Sequence, residues 1–245
     1  GLAADQPPGV SPPGIISAPL TGTRFVWSWT ETTTGLPPGG RFTFTITGRV
    51  GLACAGTSVA NEARVQAASL CAVTVLTASS PSFTVGPPVT ALAAAVLQSP
   101  ASPASGTAVR YQIVVTNTGS ATLTSLSVTD TVSPVVVNQA TEQPLGWPAP
   151  AVSDVPFGGT RYEWSATGLA FVPGMTYTFT VVGVVGAVCT PTEVSGTAWV
   201  TADSACSSAT SLTAAPGFAV LPSVSVPALG IALAQSPATP GLGDA

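Results

Sequence analysis

The stretch VRYQIVVTNTGSATLTSLSVTD, residues 109–130, decides how the chain is read. Tyr111, Ile113 and Val115 alternate with Gln112, Val114 and Thr116, and Leu126 and Val128 alternate with Ser127 and Thr129. Successive side chains of a strand point to opposite faces, so the stretch predicts two strands, each with one buried face. Asn117, Thr118, Gly119 and Ser120 between them have the composition of a turn, because Asn and Gly tolerate positive φ.

Outward from this stretch the chain repeats itself. Gln6-Pro7-Pro8-Gly9 recurs as Gln143-Pro144-Leu145-Gly146, and Gly22-Thr23-Arg24-Phe25-Val26-Trp27-Ser28 as Gly159-Thr160-Arg161-Tyr162-Glu163-Trp164-Ser165, both 137 residues on. Phe42-Thr43-Phe44-Thr45 recurs as Tyr177-Thr178-Phe179-Thr180, and Cys54 and Cys71 as Cys189 and Cys206, 135 residues on. Gln98-Ser99-Pro100-Ala101 returns at Gln235-Ser236-Pro237-Ala238, again at 137. The repeat divides the chain into residues 1–87, the later part of one unit; residues 88–222, a complete unit; and residues 223–245, the start of another. Positions 109–137 have no second copy, and these hold the opening motif.

In the complete unit, strands are predicted near 91–98, 109–116, 122–130, 161–166, 175–182, 194–201 and 212–220, several separated by Pro-Gly or Gly-Gly loops. Seven strands at this spacing suit an all-β Greek-key sandwich, so the fold expected is a tandem of immunoglobulin-like domains. Phe42, Phe44 and Ile46, mirrored by Tyr177, Phe179 and Val181, are expected in the cores, with Ala63 and Val65 mirrored by Ala198 and Val200. The Pro-rich stretches 7–19 and 144–156 read as surface loops, since Pro cannot donate to a sheet ladder.

The pattern from Tyr111 to Gly119 (Tyr-x-Ile-x-Val-Thr-Asn-Thr-Gly), followed by an alternating strand ending Val128-Thr129-Asp130, resembles the conserved repeat domain family. These are immunoglobulin-like domains of unknown function, found in tandem on bacterial and archaeal surface proteins. The resemblance covers the complete unit and part of a second, and it implies a surface location.

Composition narrows the function classes. Hydrophobic residues make up 45% of the chain and charged residues 7%, yet Pro, Ser and Gly break every long apolar run, so no transmembrane segment is expected. There is no Lys and no His, and six Arg against ten acids give a net charge of −4, which argues against a nucleic-acid partner. So few charges oppose self-association only weakly.

Each unit holds one cysteine pair, 17 residues apart. The repeat favours Cys54–Cys71 and Cys189–Cys206, one disulfide per domain, worth roughly 3 kcal/mol each if unstrained. Disulfides imply an oxidising, extracellular compartment. Without His or a Cys-x-x-Cys motif no metal is expected, and no cofactor fingerprint exists. A nucleophilic Ser or Thr would lack a His or Lys base, so no enzyme is expected. The acids, among them Glu31, Glu62, Asp130, Glu142, Asp154 and Glu163, follow no motif and read as solvated; single acids such as Asp130 or Asp203 fall short of a calcium site.

The repeat also sorts the aromatics. Trp27 and Trp164 are equivalent and expected in the core, as are Phe25 and Tyr162. Trp29, Trp147 and Trp199 have non-aromatic counterparts in Ala166, Val10 and Arg64, which makes them candidate contact residues. In the tail, Val224, Val226, Ile231 and Leu233 form an apolar strand that needs a sheet: either a continuing array, or an incomplete domain resembling residues 1–87 in a neighbouring subunit. The function expected is a structural component of an extracellular fibre, stalk or sheath, self-associating head to tail. The alternative is a surface adhesin holding a glycan or host protein through loops and exposed Trp.

Overall fold

The computed structural model describes residues 1–18, 22–29, 36–156, 158–222, 229–234 and 241–243; Glu31, Val224 and Val226 lie outside them. The chain divides into two units, Gly1–Pro87 and Pro88–Ala245. Unit 1 carries β1 (Ala3–Asp5), β2 (Gly14–Ala18), β3 (Gly22–Val26), β4 (Thr45–Thr47), β5 (Thr57–Val59), β6 (Glu62–Ala68), β7 (Val73–Ser79) and β8 (Phe83–Val85). Unit 2 carries β9 (Leu92–Ser99), β10 (Ala108–Asn117), β11 (Leu123–Val132), β12 (Val136–Glu142), β13 (Ala151–Asp154), β14 (Thr160–Phe171), β15 (Thr176–Val185), β16 (Thr192–Val194), β17 (Gly196–Ser204), β18 (Ser208–Ala214) and β19 (Phe218–Val220). No helix occurs among the described residues.

Unit 2 is an immunoglobulin-like sandwich of antiparallel sheets. One sheet runs β12-β15-β10-β9 and the other β13-β14-β11-β17-β18, with β16-β19 as a short extra pair. The alternation in residues 109–130 dictates the arrangement. On β10 Val109, Tyr111, Ile113 and Val115 are buried, and on β11 Leu126, Val128 and Val132 are buried. The two inward faces meet in one core with Trp164, Phe171, Phe179, Val181, Ala198 and Val200. β10 and β11 are both interior strands, each paired on two sides: β10 with β15 and β9, β11 with β14 and β17.

The connection between them is held differently from the sequence expectation, for neither Asn117 nor Gly119 takes a positive φ. Asn117 is fully buried, its Nδ2 donating to the carbonyls of Ala121 (2.9 Å) and Phe171 (2.8 Å) while its Oδ1 accepts from the Gly119 N–H (3.0 Å). Gly119 is required by close approach. A Cβ there would collide with the Val89 carbonyl oxygen and stand 2.8 Å from the Ala91 nitrogen.

In unit 2 two strands were not expected, and in unit 1 the counterpart of one of them was not. β12 forms the edge beside β15, and β13 lies within the Pro-rich stretch 144–156 read as a loop; β2 lies likewise within 7–19. Each takes an edge place, β13 pairing only with β14 and β2 only with β3, and the flanking Pro148, Pro150 and Pro156 stay outside β13. An edge strand tolerates such neighbours because one side of its ladder needs no partner.

Unit 1 repeats the registers of unit 2 pair by pair. β1·β4 (Ala3↔Thr47 to Asp5↔Thr45) matches β12·β15 (Ala140↔Val182 to Glu142↔Thr180). β2·β3 (Gly14↔Val26) matches β13·β14 (Ala151↔Glu163), β5·β8 (Thr57↔Val85) matches β16·β19 (Thr192↔Val220), and β6·β7 (Glu62↔Ser79) matches β17·β18 (Thr197↔Ala214). Counterparts of β9, β10 and β11 are absent among the described residues, so β2·β3 and β6·β7, whose counterparts β11 joins in unit 2, stay separate, β1·β4 stays two-stranded, and β5·β8 stands apart as β16·β19 does in unit 2.

The expected core of unit 1 is therefore uncovered. Val65 is 57% exposed and Ile46 41%, against zero for their counterparts Val200 and Val181; Ala63 is exposed too, and Phe42 and Phe44 are half-buried. In unit 2, Val200 lies opposite Val128 and Ala198 opposite Asp130, both on β11. Fully burying a side chain such as Val stabilises by about 1.5–3 kcal/mol, and unit 1 forgoes much of that gain at Val65.

Candidate functional site

The residues singled out from the sequence fall into three groups. The first is aromatic. Phe25, Trp27 and Phe44 are spaced at 6.0 and 5.0 Å between ring centroids, and their counterparts Tyr162, Trp164 and Phe179 at 6.0 and 5.3 Å. Trp164 is fully buried, whereas Trp27 is half-buried, again for want of the covering strands.

Trp147 corrects an expectation. It is not a contact residue but part of the unit 2 core, 9% exposed and edge-on to Tyr177 (5.3 Å) and Phe179 (4.9 Å). Trp29 sits on the equivalent pair in unit 1, Phe42 (5.4 Å) and Phe44 (5.9 Å). The two units fill one aromatic slot from non-equivalent chain positions, which a comparison at fixed offset misreads as two unrelated Trp residues. Trp29 is 37% exposed. Trp199 is 48% exposed on β17, opposite Leu212 (67% exposed) on β18, so it lies on the outer face of the five-stranded sheet.

The second group is the cysteines. Cys71 and Cys189 carry exposed free thiols, whereas Cys54 and Cys206 are not thiols. The expected pairings Cys54–Cys71 and Cys189–Cys206 are therefore not made. A repeated spacing fixes which positions correspond but not which sulfurs meet.

The third group is the tail. Residues 229–234 form no strand in the single chain, with Leu229, Ile231 and Leu233 at 99%, 92% and 95% exposure. At the repeat offset of 137 they correspond to Leu92, Ala94 and Val96 of β9. Those are the β9 positions turned toward the core: Val96 is buried, and Leu92 and Ala94 pack against the buried cluster.

Sequence reading placed Asp130 among solvated acids. It is instead 1% exposed inside the unit 2 sandwich. The signal was present, since Asp130 follows Val128 by two and shares its face. Burial pushes its carboxyl up to about 7, against a smaller lowering by the Thr131 backbone hydrogen bond, and its Oδ2 has no hydrogen-bond partner among the described residues. Tyr111, also buried, is pushed up to about 12 by desolvation and then by the Asp130 charge. Tyr162 is raised by the same two causes and donates to Gln139 Oε1 at 2.6 Å. Beside it an open depression of about 490 Å³ is lined by Pro134, Val136, Asn138, Gln139, Asp154 and Tyr162. Asp203 stays solvated, its carboxyl lowered by hydrogen bonds from Ser125 and Ser208, the first at 2.6 Å. Among the described residues no three His, Cys, Asp or Glu side chains gather as a metal site, and no helix is long and apolar enough to cross a membrane.

No family model matches the chain, and no curated protein matches it. Among solved structures it is similar to the sixth cohesin of Acetivibrio cellulolyticus scaffoldin B (7% identity, TM-score 0.37), over 54% of this chain and 99% of that one. It is similar to the major pilin subunit BcpA of Bacillus cereus (10%, TM-score 0.36), over 82% of this chain and 54% of the pilin. A third is the major pilin SpaA of Corynebacterium diphtheriae (13%, TM-score 0.35), over 75% of this chain and 49% of that one.

Proposed function

We propose that this protein is a structural component of an extracellular fibre, stalk or sheath, built from tandem immunoglobulin-like domains of the conserved repeat type and propagating head to tail by strand addition. The observation that carries the reading is the identity of register between the units. Unit 1 has the same four strand pairs as unit 2, yet among the described residues nothing covers the edges that β10 and β11 fill in unit 2. Open ladders of this kind pair with further strands. The tail supports the same reading, because Leu229, Ile231 and Leu233 repeat the inward pattern of β9 while standing exposed in the single chain. Such a contact joins two different surfaces, and it builds a filament wherever its rotation does not close a ring. Electron micrographs of the concentrated full chain test it. Filaments with an axial repeat support the reading, and isolated particles at every concentration contradict it.

A second reading, an adhesin, is favoured by the exposed Trp199 beside Leu212, an aromatic–aliphatic patch of the kind that holds sugar or protein surfaces. A glycan-binding screen of the native chain against Trp199→Ala separates the two. Loss of a bound glycan would favour the adhesin, whereas a fibre component shows no such ligand.

A further inference from the structure

We infer that the free edge of β18 in unit 2 is a lateral interface with a second copy of this chain, the two β18 strands pairing antiparallel about a two-fold axis at Ser211. The inference goes beyond head-to-tail assembly and uses only the complete unit.

The two large sheets have four edge strands, β12, β9, β13 and β18. Edges that must stay unpaired carry bulges, prolines or charges, or are very short. β12 has a bulge between Val137 and Ala140, with Asn138 at a φ of 51°, and ends on the charged Glu142. β13 has four residues, and Pro148, Pro150 and Pro156 flank it. β18 has none of these devices. Its seven residues, Ser208–Ala214, include no charge, Pro, Gly or bulge, and among the described residues it pairs only with β17. β9 is also unguarded, but it turns outward only Ala93, Ala95, Leu97 and Ser99.

The face beside β18 singles it out. Trp199 and Leu212 stand opposite each other and exposed, whereas their counterparts in the same register of unit 1 are Arg64 and Thr77. The repeat folds this ladder with a polar pair there, so the apolar pair is not a requirement of the fold. The inward row of β18, Ala209, Ser211 and Thr213, is only half-buried, while Ala198, Val200 and Ala202 on β17 are buried. Both faces of this edge would gain cover from one added strand.

Hydrogen-bond geometry selects the register. The Ser204 N–H donates to the Ser207 carbonyl, and the Ala215 N–H donates to the Gly196 carbonyl. Odd-numbered residues of this stretch therefore turn to β17, and Ser208, Thr210, Leu212 and Ala214 turn their N–H and C=O groups to the free side. Antiparallel pairing about Ser211 sets Ser208 opposite the partner's Ala214, and Thr210 opposite the partner's Leu212. It joins the free backbone groups to one another and keeps outward side chains with outward ones. Leu212 and the partner's Leu212 become diagonal neighbours, about 7–8 Å apart, and with a Trp199 behind each they form one apolar row across the axis. No charge on β18 selects a different partner, and a chain with 7% charged residues opposes self-pairing weakly.

The test traps the contact in the full 245-residue chain, with Cys71→Ser and Cys189→Ser removing the free thiols. At the axis Ser211 faces its own copy in a non-hydrogen-bonded pair, about 4.5 Å between Cα atoms and within the span of a disulfide. In this background Ser211→Cys is expected to give, on mild oxidation, a covalent dimer that peptide mapping shows linked 211 to 211. Ala95→Cys on β9 and Ser153→Cys on β13 are expected to run as monomers on the same non-reducing gel. Adding Thr210→Pro, which removes an outward N–H without touching the β17 ladder, should weaken the association ~10-fold or more. Leu212→Lys, at an exposed position, should do the same by setting like charges beside each other across the axis, and it serves where the proline variant fails to fold. Absence of the 211 link, or equal yields from the β9 and β13 sites, would overturn the interface, as would a link undiminished by both added substitutions. Filaments without the 211 link would contradict this contact alone, and the 211 link without filaments would contradict only the head-to-tail reading.

Discussion

At neutral pH an exposed aspartate is ionised, but Asp130, enclosed by the sandwich and raised to about 7, still holds much of its proton. The unfolded chain releases that proton near 3.9, so between about pH 4 and 7 the folded state binds more protons than the unfolded one. Stability of unit 2 should therefore be greatest below about pH 4 as far as this group goes, and fall as pH rises toward 7, by an amount on the order of 4 kcal/mol. Urea titrations across that range should show the decline, and Asp130→Asn should flatten it. Equal slopes in the native chain and in Asp130→Asn would contradict the burial. The two Trp residues of unit 2 make a second test. Trp147→Ala removes a core ring and should cost about 3–5 kcal/mol, whereas Trp199→Ala on the outer face should cost within about 0.5 kcal/mol. At the sulfurs, Cys71 and Cys189 should alkylate without denaturant or reductant while Cys54 and Cys206 do not. Peptide mapping that found Cys71 or Cys189 blocked would contradict the assignment.

Among the elements, β10 and β11 were legible because a period of two survives any context in which one face is buried. Asp130 and Gly119 were misread in detail although their strands were not, since a residue type alone does not report burial or the approach of a neighbouring backbone. The edge strands β2 and β13 were hidden by proline, which argues against a strand only when both of its sides must pair. Val65 and Ala63 were assigned to a core by analogy with Val200 and Ala198. The analogy holds for their register and fails for their burial, because burial is conferred by β11, a strand distant in sequence. Protease access should report the same difference. Arg24, Arg41, Arg49 and Arg64 lie in or beside two-stranded pieces of unit 1, while Arg110 and Arg161 lie within the large sheets of unit 2, Arg110 also meeting Glu142 at 2.9 Å. Trypsin should cut at the unit 1 arginines first and leave a stable fragment containing residues 88–222. Early cleavage at Arg110 or Arg161 would mean the sandwich is not closed.

At the scale of the molecule, the described residues hold one repeat twice: in unit 2 with the interior strands β10 and β11, and in unit 1 without counterparts of them. The comparison isolates what those strands contribute, since the surrounding pairs keep their registers in both. The account predicts an unequal pair of units in the isolated chain. Hydrogen–deuterium exchange of the full chain at low concentration, read by mass spectrometry on peptides covering Glu62–Ala68 and its counterpart Gly196–Ser204, compares them directly. The account predicts that Gly196–Ser204 exchanges only on global opening of unit 2, and that Glu62–Ala68 exchanges orders of magnitude faster. Equal, strong protection of the two strands would contradict it, because unit 1 would then be closed without the strands on which its completion is argued to depend.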